Sequence, residues 1–137
     1  MIYGIGVDIV TVSRMEKWLR RSDGRKLVAR FFHEQEIADA FFVTKTTALS
    51  LSARFAAKEA FGKALGTGLR GLRLKDICVK SAYNGKPSLQ VYGTAQKAAK
   101  TAGISKIFVS LSHEKELAIA VVVLETDGSR QADELRR

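Results

Sequence analysis

A chain of 137 residues, 46% hydrophobic and 27% charged, is one domain with a real core rather than two. No apolar run reaches the roughly 18 residues of a membrane span, and the single cysteine, Cys78, excludes a disulfide framework or a cysteine-built metal knuckle. The net charge of +9 favours an anionic partner: nucleic acid, a phosphorylated ligand, an acidic protein or a membrane surface.

Residues 2 to 10, IYGIGVDIV, alternate as a strand does. Tyr3, Ile5, Val7 and Ile9 face one way, and Gly4, Gly6 and Asp8 the other. The stretch has no basic leader and no cleavage site, so it reads as a strand rather than a signal peptide, and a cytoplasmic location is expected. Ser13 with Glu16 forms an S-x-x-E pattern that predicts a capped helix start. In that helix Met15, Trp18 and Leu19 give an apolar face, and Arg14, Lys17 and Arg21 a basic stripe. Residues 14 to 30 hold seven basic side chains against two acidic ones, which concentrates the positive charge there.

Two short helical pieces are expected over 24–32 and 33–42, followed by a long helix over about 45–65. Past Gly71 the pattern changes to strands. LKDICVKS and SLQVY are joined by the turn Asn84-Gly85-Lys86-Pro87. An alanine-rich helix from Thr94 to Ala102 is stopped by Gly103. KIFVSLSH and ELAIAVVVLE then form two strands around a tight turn near 113–116. Strand, three or four helices, two strands, helix, two strands is the order of an α+β fold around a largely antiparallel sheet. Residues 125–137 are mixed in sign and poor in apolar side chains, and are expected as a loosely ordered tail.

The long helix carries FAAKEAFGKALG at 55–66. Glu59 and Lys63 share a face with Phe55, Gly62 and Gly66, while Ala53, Ala56, Ala57, Ala60 and Ala64 form another. Alone, Glu59 and Lys63 are an ordinary exposed pair at i, i+4. Asp8 alters that reading, because a carboxylate near the end of so apolar a strand must be paired, hydrogen-bonded or bound to a metal. The two glycines before it clear its face of side chains, as a bulky ligand would require. If Asp8 and Glu59 meet, they suit magnesium, which takes one or two protein carboxylates plus substrate phosphates. Lys63 would then face the same phosphates.

Two tempting motifs fail on context. GTGLRG at 66–71 matches G-x-G-x-x-G, but it follows a helix and leads into a strand, the reverse of a dinucleotide fingerprint. It reads as a helix C-cap and loop. Ser112 and His113 are adjacent and no G-x-S-x-G elbow exists, which argues against a serine hydrolase. By itself His113 is an exposed residue at a hairpin tip, and no chemistry is assigned to His33.

GIGVDIV at 4–10, ARFAAKEAFGKALGTG at 53–68, NGKP at 84–87 and SLSH at 110–113 stand in the order and spacing of one family. The sequence resembles the bacterial holo-acyl-carrier-protein synthases, the small class of 4'-phosphopantetheinyl transferases. The resemblance covers about residues 1–124, taken as the transferase domain, and does not reach 125–137. It implies transfer of phosphopantetheine from coenzyme A to a serine of apo-acyl carrier protein, with release of adenosine 3',5'-bisphosphate, in support of fatty acid synthesis. It implies that Asp8 and Glu59 hold magnesium, that Lys63 contacts the pyrophosphate, and that Arg54 and His113 lie near the nucleotide's 3'-phosphate. Gly66 and the turn formed by Asn84, Gly85, Lys86 and Pro87 are expected against coenzyme A too, in a site shared between subunits of a homotrimer.

The stripe of Arg14, Lys17, Arg21 and Arg25 suits an acidic carrier protein. Two acceptors are open for the serine proton, Glu59 and a metal-bound water. The rival reading, a basic module that holds nucleic acid, rests on the charge of +9 alone. Neither an exposed aromatic pattern nor a nucleic-acid motif supports it. Nucleic acid and membrane are therefore not expected as partners.

Overall fold

In the computed structural model, which describes residues 1–128, strand β1 (Ile2–Thr11) runs directly into helix α1 (Val12–Arg20). Helices α2 (Gly24–Phe31) and α3 (Glu34–Phe42) follow, and a single 3-10 turn (Thr44–Thr46) leads into the long helix α4 (Thr47–Leu65). A second 3-10 turn (Leu74–Asp76) opens the hairpin of β2 (Ile77–Ser81) and β3 (Pro87–Val91). Helix α5 (Gly93–Ala102), β4 (Ile104–Glu114) and β5 (Leu117–Thr126) complete the order. The α+β order expected from the sequence stands, with four helices after the first strand. Among the described residues all strand pairs are antiparallel, in two sheets rather than one: β1-β5-β4, and the β2-β3 hairpin. β5 runs through Glu125 and Thr126 into the segment expected as a tail, and 129–137 lie outside the described residues.

Helix α4 lies across the inner face of the three-stranded sheet, and that packing is the core. Its Leu51, Phe55, Ala56, Ala57, Ala60, Phe61 and Ala64 are buried, as are Ala118, Ala120, Val122 and Leu124 of β5. Small side chains on both surfaces let the backbones approach closely. A Cβ on Gly4 would sit 1.9 Å from the Ala64 carbonyl oxygen, and one on Gly6 would sit 1.9 Å from that of Ala60. The glycine face of β1 therefore clears room for the helix backbone, not for a ligand as the sequence suggested. The opposite face carries Tyr3, Ile5, Val7 and Ile9, all exposed.

The predicted capping box at Ser13 and Glu16 does not form. Thr11 is the N-cap, without a side-chain bond, and Ser13 already lies inside α1. The reason is tertiary: β1 stays paired as far as Thr11, opposite Leu117, and the Val12 N–H donates to the Glu116 carbonyl at 2.7 Å. A capping box appears instead on α3, where His33 Nδ1 accepts from the Gln35 N–H at 3.1 Å. The His33 N–H donates to Glu36 Oε1 at 3.0 Å. Other local signals hold. Gly103, at φ 74°, ends α5, and Asn84 Oδ1 accepts from the Lys86 N–H at 3.0 Å in the expected turn.

Candidate active site

The close seating of α4 on β1 decides which side chains meet. With Gly4 against Ala64 and Gly6 against Ala60, the two elements run antiparallel, so Asp8 comes level with the turn around Ala56, beside Glu59 and within reach of the long Lys63 side chain. Lys63 Nζ donates to Asp8 Oδ1 at 3.0 Å and to the Val7 carbonyl at 3.1 Å. Side-chain exposure is 54% for Lys63 and 18% for Asp8, so the pair sits at the rim of the core, open to solvent on one side.

Glu59 is half-buried beside them. Burial pushes its carboxyl pKa up, the negative charge of Asp8 adds to the rise, and Lys63 and Arg14 partly offset it. Ionised Glu59 is thus held where further positive charge is favoured. In the metal-free protein, the folded-state pKa lies above the ordinary value of 4.5. Ionisation then costs stability above that pKa, and the cost is recovered as pH falls through it. An NMR titration of the Glu59 carboxyl should show the raised value. It should drop in Asp8→Asn, which removes a like charge. A value unchanged in Asp8→Asn would separate the two carboxylates.

Among the described residues no group of three or more His, Cys, Asp and Glu could hold a metal ion. Two carboxylates from separate elements nonetheless fit one kind of ion, a hard cation that keeps its waters and takes its remaining oxygens from substrate phosphates. The raised pKa of Glu59 fits the same occupant, since a cation relieves the repulsion between the carboxylates. The donor set is compatible with magnesium.

Gly66 caps the same helix in the left-handed conformation, φ 86°, and its loop folds back so that the Gly68 N–H donates to the Gly62 carbonyl at 3.0 Å. The remaining expected contacts stand elsewhere on the chain. Arg54 is buried and turned towards α3: Nη1 donates to Ser50 Oγ, Nη2 lies 3.8 Å from Asp39 Oδ2, and Nε–H has no hydrogen-bond partner. Asn84, Gly85, Lys86 and Pro87 form the tip and return of the separate β2-β3 hairpin. His113 is exposed near the end of β4, across from Ala118. On the basic surface, Arg14, Lys17, Arg21 and Arg25 are all exposed. The Arg14 guanidinium lies 5.7 Å from the Trp18 ring and 5.2 Å from that of Phe55, a placement that also brings its charge to Glu59. Arg21 is paired with Asp23 at 2.9 Å.

Sequence reasoning missed the residue beside Glu59. Lys58 is fully buried, with Nζ donating to Glu36 Oε1 at 2.6 Å, to the Leu74 carbonyl at 2.8 Å and to the Ile77 carbonyl. Glu36, equally buried, also accepts at Oε2 from the Val79 N–H at 3.2 Å. A signal was present: Phe55 and Phe61 flank Lys58 at i−3 and i+3, which puts it on an apolar strip.

Residues 4–122 match the 4'-phosphopantetheinyl transferase superfamily. The chain is 52% identical over 125 residues to a holo-[acyl-carrier-protein] synthase of Treponema denticola, covering 91% of this chain and 99% of that one. A crystal structure of the holo-[acyl-carrier-protein] synthase of Neisseria meningitidis superposes with a TM-score of 0.83 at 35% identity, over 92% of this chain and 100% of that one. The Helicobacter pylori enzyme of the same name, solved in complex with coenzyme A, gives a TM-score of 0.77 at 32% identity, over 88% of this chain and 99% of that one.

Proposed function

The chain belongs to the 4'-phosphopantetheinyl transferase superfamily, and from that premise we propose that it is a holo-acyl-carrier-protein synthase dependent on magnesium. The observation that carries the reading is the meeting of Asp8, Glu59 and Lys63 at the α4–β1 seam. A serine hydroxyl of apo-acyl carrier protein forms a bond to the phosphorus that bears the pantetheine arm of coenzyme A. The bond from that phosphorus to the bridging oxygen breaks, and adenosine 3',5'-bisphosphate leaves. Such a reaction needs neutralisation of charge and alignment more than a covalent intermediate.

Each side chain has a part. Asp8 and Glu59 would hold the magnesium ion, which supplies Lewis-acid neutralisation of the pyrophosphate. Lys63, on an exposed stem, swings its ammonium to the pyrophosphate and meets the charge that grows on the leaving group. Two acceptors stand open for the serine proton, Glu59 and a water at the site. Arg14, Lys17, Arg21 and Arg25 steer the acidic carrier protein towards the seam.

Assembly belongs to the same proposal. Tyr3, Ile5, Val7 and Ile9, between 43% and 61% exposed, line up with half-exposed Ile119, Val121 and Val123 of β5 and with Phe108 of β4. An apolar sheet face of this kind marks an interaction surface, and we assign it to subunit contacts in a homotrimer. Assembly would also bring Arg54, the 84–87 turn and His113 of one subunit to the coenzyme A held by Asp8, Glu59 and Lys63 of the next. Val7→Glu, across from Val121, should leave the subunit folded but shift sedimentation from trimer to monomer, with transfer lost in parallel. A trimeric Val7→Glu would remove this face from the interface.

No described helix is long and apolar enough to cross a membrane, and the proposed activity puts the protein in the cytoplasm with its substrates, in fatty acid synthesis. The test is one incubation with coenzyme A, magnesium and apo-acyl carrier protein, followed by intact mass. The carrier protein should gain one phosphopantetheine, and a chelator should abolish the gain. No gain on several carrier proteins would sink the reading.

A further inference from the structure

The buried pair of Lys58 and Glu36 is an unusual investment for so small a core. Burying two ions is costly, and well-packed apolar residues in their place are often neutral or stabilising. Stability alone therefore gives little reason for the pair. Its connections give a better one. The three ammonium protons go to three different places: Glu36 on α3, the Leu74 carbonyl in the 3-10 turn, and the Ile77 carbonyl at the start of β2. Glu36 in turn accepts from the His33 N–H at the start of α3 and from the Val79 N–H of β2. One side chain of α4 thus ties the helix to α3, the 3-10 turn and β2 at once, on the side away from β1.

The surface α4 lays on β1 is made of Ala60 and Ala64 against Gly6 and Gly4, while its Leu51, Phe55 and Phe61 are buried around that seam. The close approach sets the distance between helix and strand, and a rotation of α4 about its own axis would swing Glu59 and Lys63 away from Asp8. Lys58 is adjacent to Glu59 and on the far side of the helix, so its bonds oppose that rotation. It also controls the loop over 66–73. That loop leaves from the C-terminus of α4, touches the helix where the Gly68 N–H meets the Gly62 carbonyl, and returns to Leu74, which Lys58 holds.

We propose that Lys58, acting with Glu36, is a positioning residue for the transfer reaction: the pair fixes the rotation of α4 that aims Glu59 and Lys63 at Asp8, and it clamps the return end of the 66–73 loop. The inference rests on the function proposed above. Neither residue touches substrate.

The test replaces both ions by apolar residues of similar size, Lys58→Met with Glu36→Leu, so that no charge is left buried alone. The melting temperature should stay at or above that of wild type. The kcat should fall about tenfold or more, as expected for a displaced reacting geometry, with KM for the carrier protein little changed. A second readout needs no turnover. Hydrogen exchange at the Gly68 and Leu72 amides should accelerate about tenfold or more while amides in β5 keep their protection. A pair with only a structural role would move neither kcat nor the local exchange once stability is retained. Wild-type kcat and wild-type exchange in the stable double variant would overturn the proposal. Should that variant not fold, Lys58→Met with Glu36→Gln takes its place, because it leaves no ion buried and keeps an acceptor for the His33 N–H. Slower turnover with faster loop exchange in that pair at retained stability would support the proposal, and wild-type values of both would overturn it. An inactive wild type would overturn the functional reading and this inference together; an active wild type with an equally active variant would overturn the inference alone.

Discussion

Asp8→Asn should lower the rate of phosphopantetheine transfer by roughly 10²- to 10³-fold, the range for losing one preorganised electrostatic contact at a reacting centre. The fold should survive. Asp8 is bonded to a half-exposed Lys63, and a solvent-screened pair of this kind contributes at most about 1 kcal/mol. Glu59→Gln should cost as much activity, with a stability change of the opposite sign. Its carboxyl is held ionised against burial and against Asp8, so a neutral amide of the same shape removes an unfavourable charge at neutral pH. The measurement is initial rate by intact mass alongside thermal melting, for both variants over a range of magnesium concentrations. Added magnesium should not restore either rate fully. Rates within about threefold of wild type would strip both residues of their part, since even an outer-shell contact to a metal ligand is worth more.

Gly6→Ala is expected to cost a large part of the stability of this protein. The new carbon would lie 1.9 Å from the Ala60 carbonyl oxygen and 2.7 Å from the Ala64 nitrogen, both backbone atoms of α4. No rotamer change relieves a clash between two backbones. Either the helix retreats from the sheet or the strand bends, and the core over Ala60 and Phe61 opens in both cases. Overpacking of this kind costs about 3 kcal/mol or more, the upper end of its usual range. Gly66→Ala is the control. A methyl there meets no atom within 4 Å, and the cost is confined to its left-handed backbone, about 1–2 kcal/mol. Chemical denaturation of both variants ranks them. Equal loss in the two, or a smaller loss for Gly6→Ala, would show that α4 sits less tightly on β1 than the distances say. Whatever Gly6→Ala retains of its fold should transfer poorly, because a helix displaced by about 1 Å misplaces Glu59 and Lys63 against Asp8.

How far the sequence could be read depended on where each signal came from. Local chemistry read true: Gly103 stops α5, Asn84-Gly85 turns the hairpin, and Gly66 closes α4 because these residues act through their own backbone. The S-x-x-E pattern failed because Val12 found its acceptor in Glu116, a partner from the far end of the chain that no local rule contains. The glycines of β1 were rightly singled out and wrongly explained, since alternation reveals a bare face but not whether a ligand or a helix fills it. For the site, Asp8, Glu59 and Lys63 could be nominated from residue type and spacing. Their meeting follows from how α4 seats on β1, which is tertiary. Lys58 went unread, although its position between two phenylalanines argues that it is itself inside.

The pairing of β1 with β5 also governs how the protein comes into being. Ile2 is matched with Glu125 and Thr11 with Leu117, so every other described element lies between partners. During synthesis β1 emerges well before its mate. Until β5 is released, a segment of apolar residues with open backbone edges waits unprotected. Long-range closure of this kind slows folding, and an unpaired apolar strand is a template for association with other chains. Refolding of the intact chain should therefore be limited by a late step in which β1, β5 and α4 come together at once, so that the carboxylate of Asp8 and the helix that completes its site are delivered in the same event.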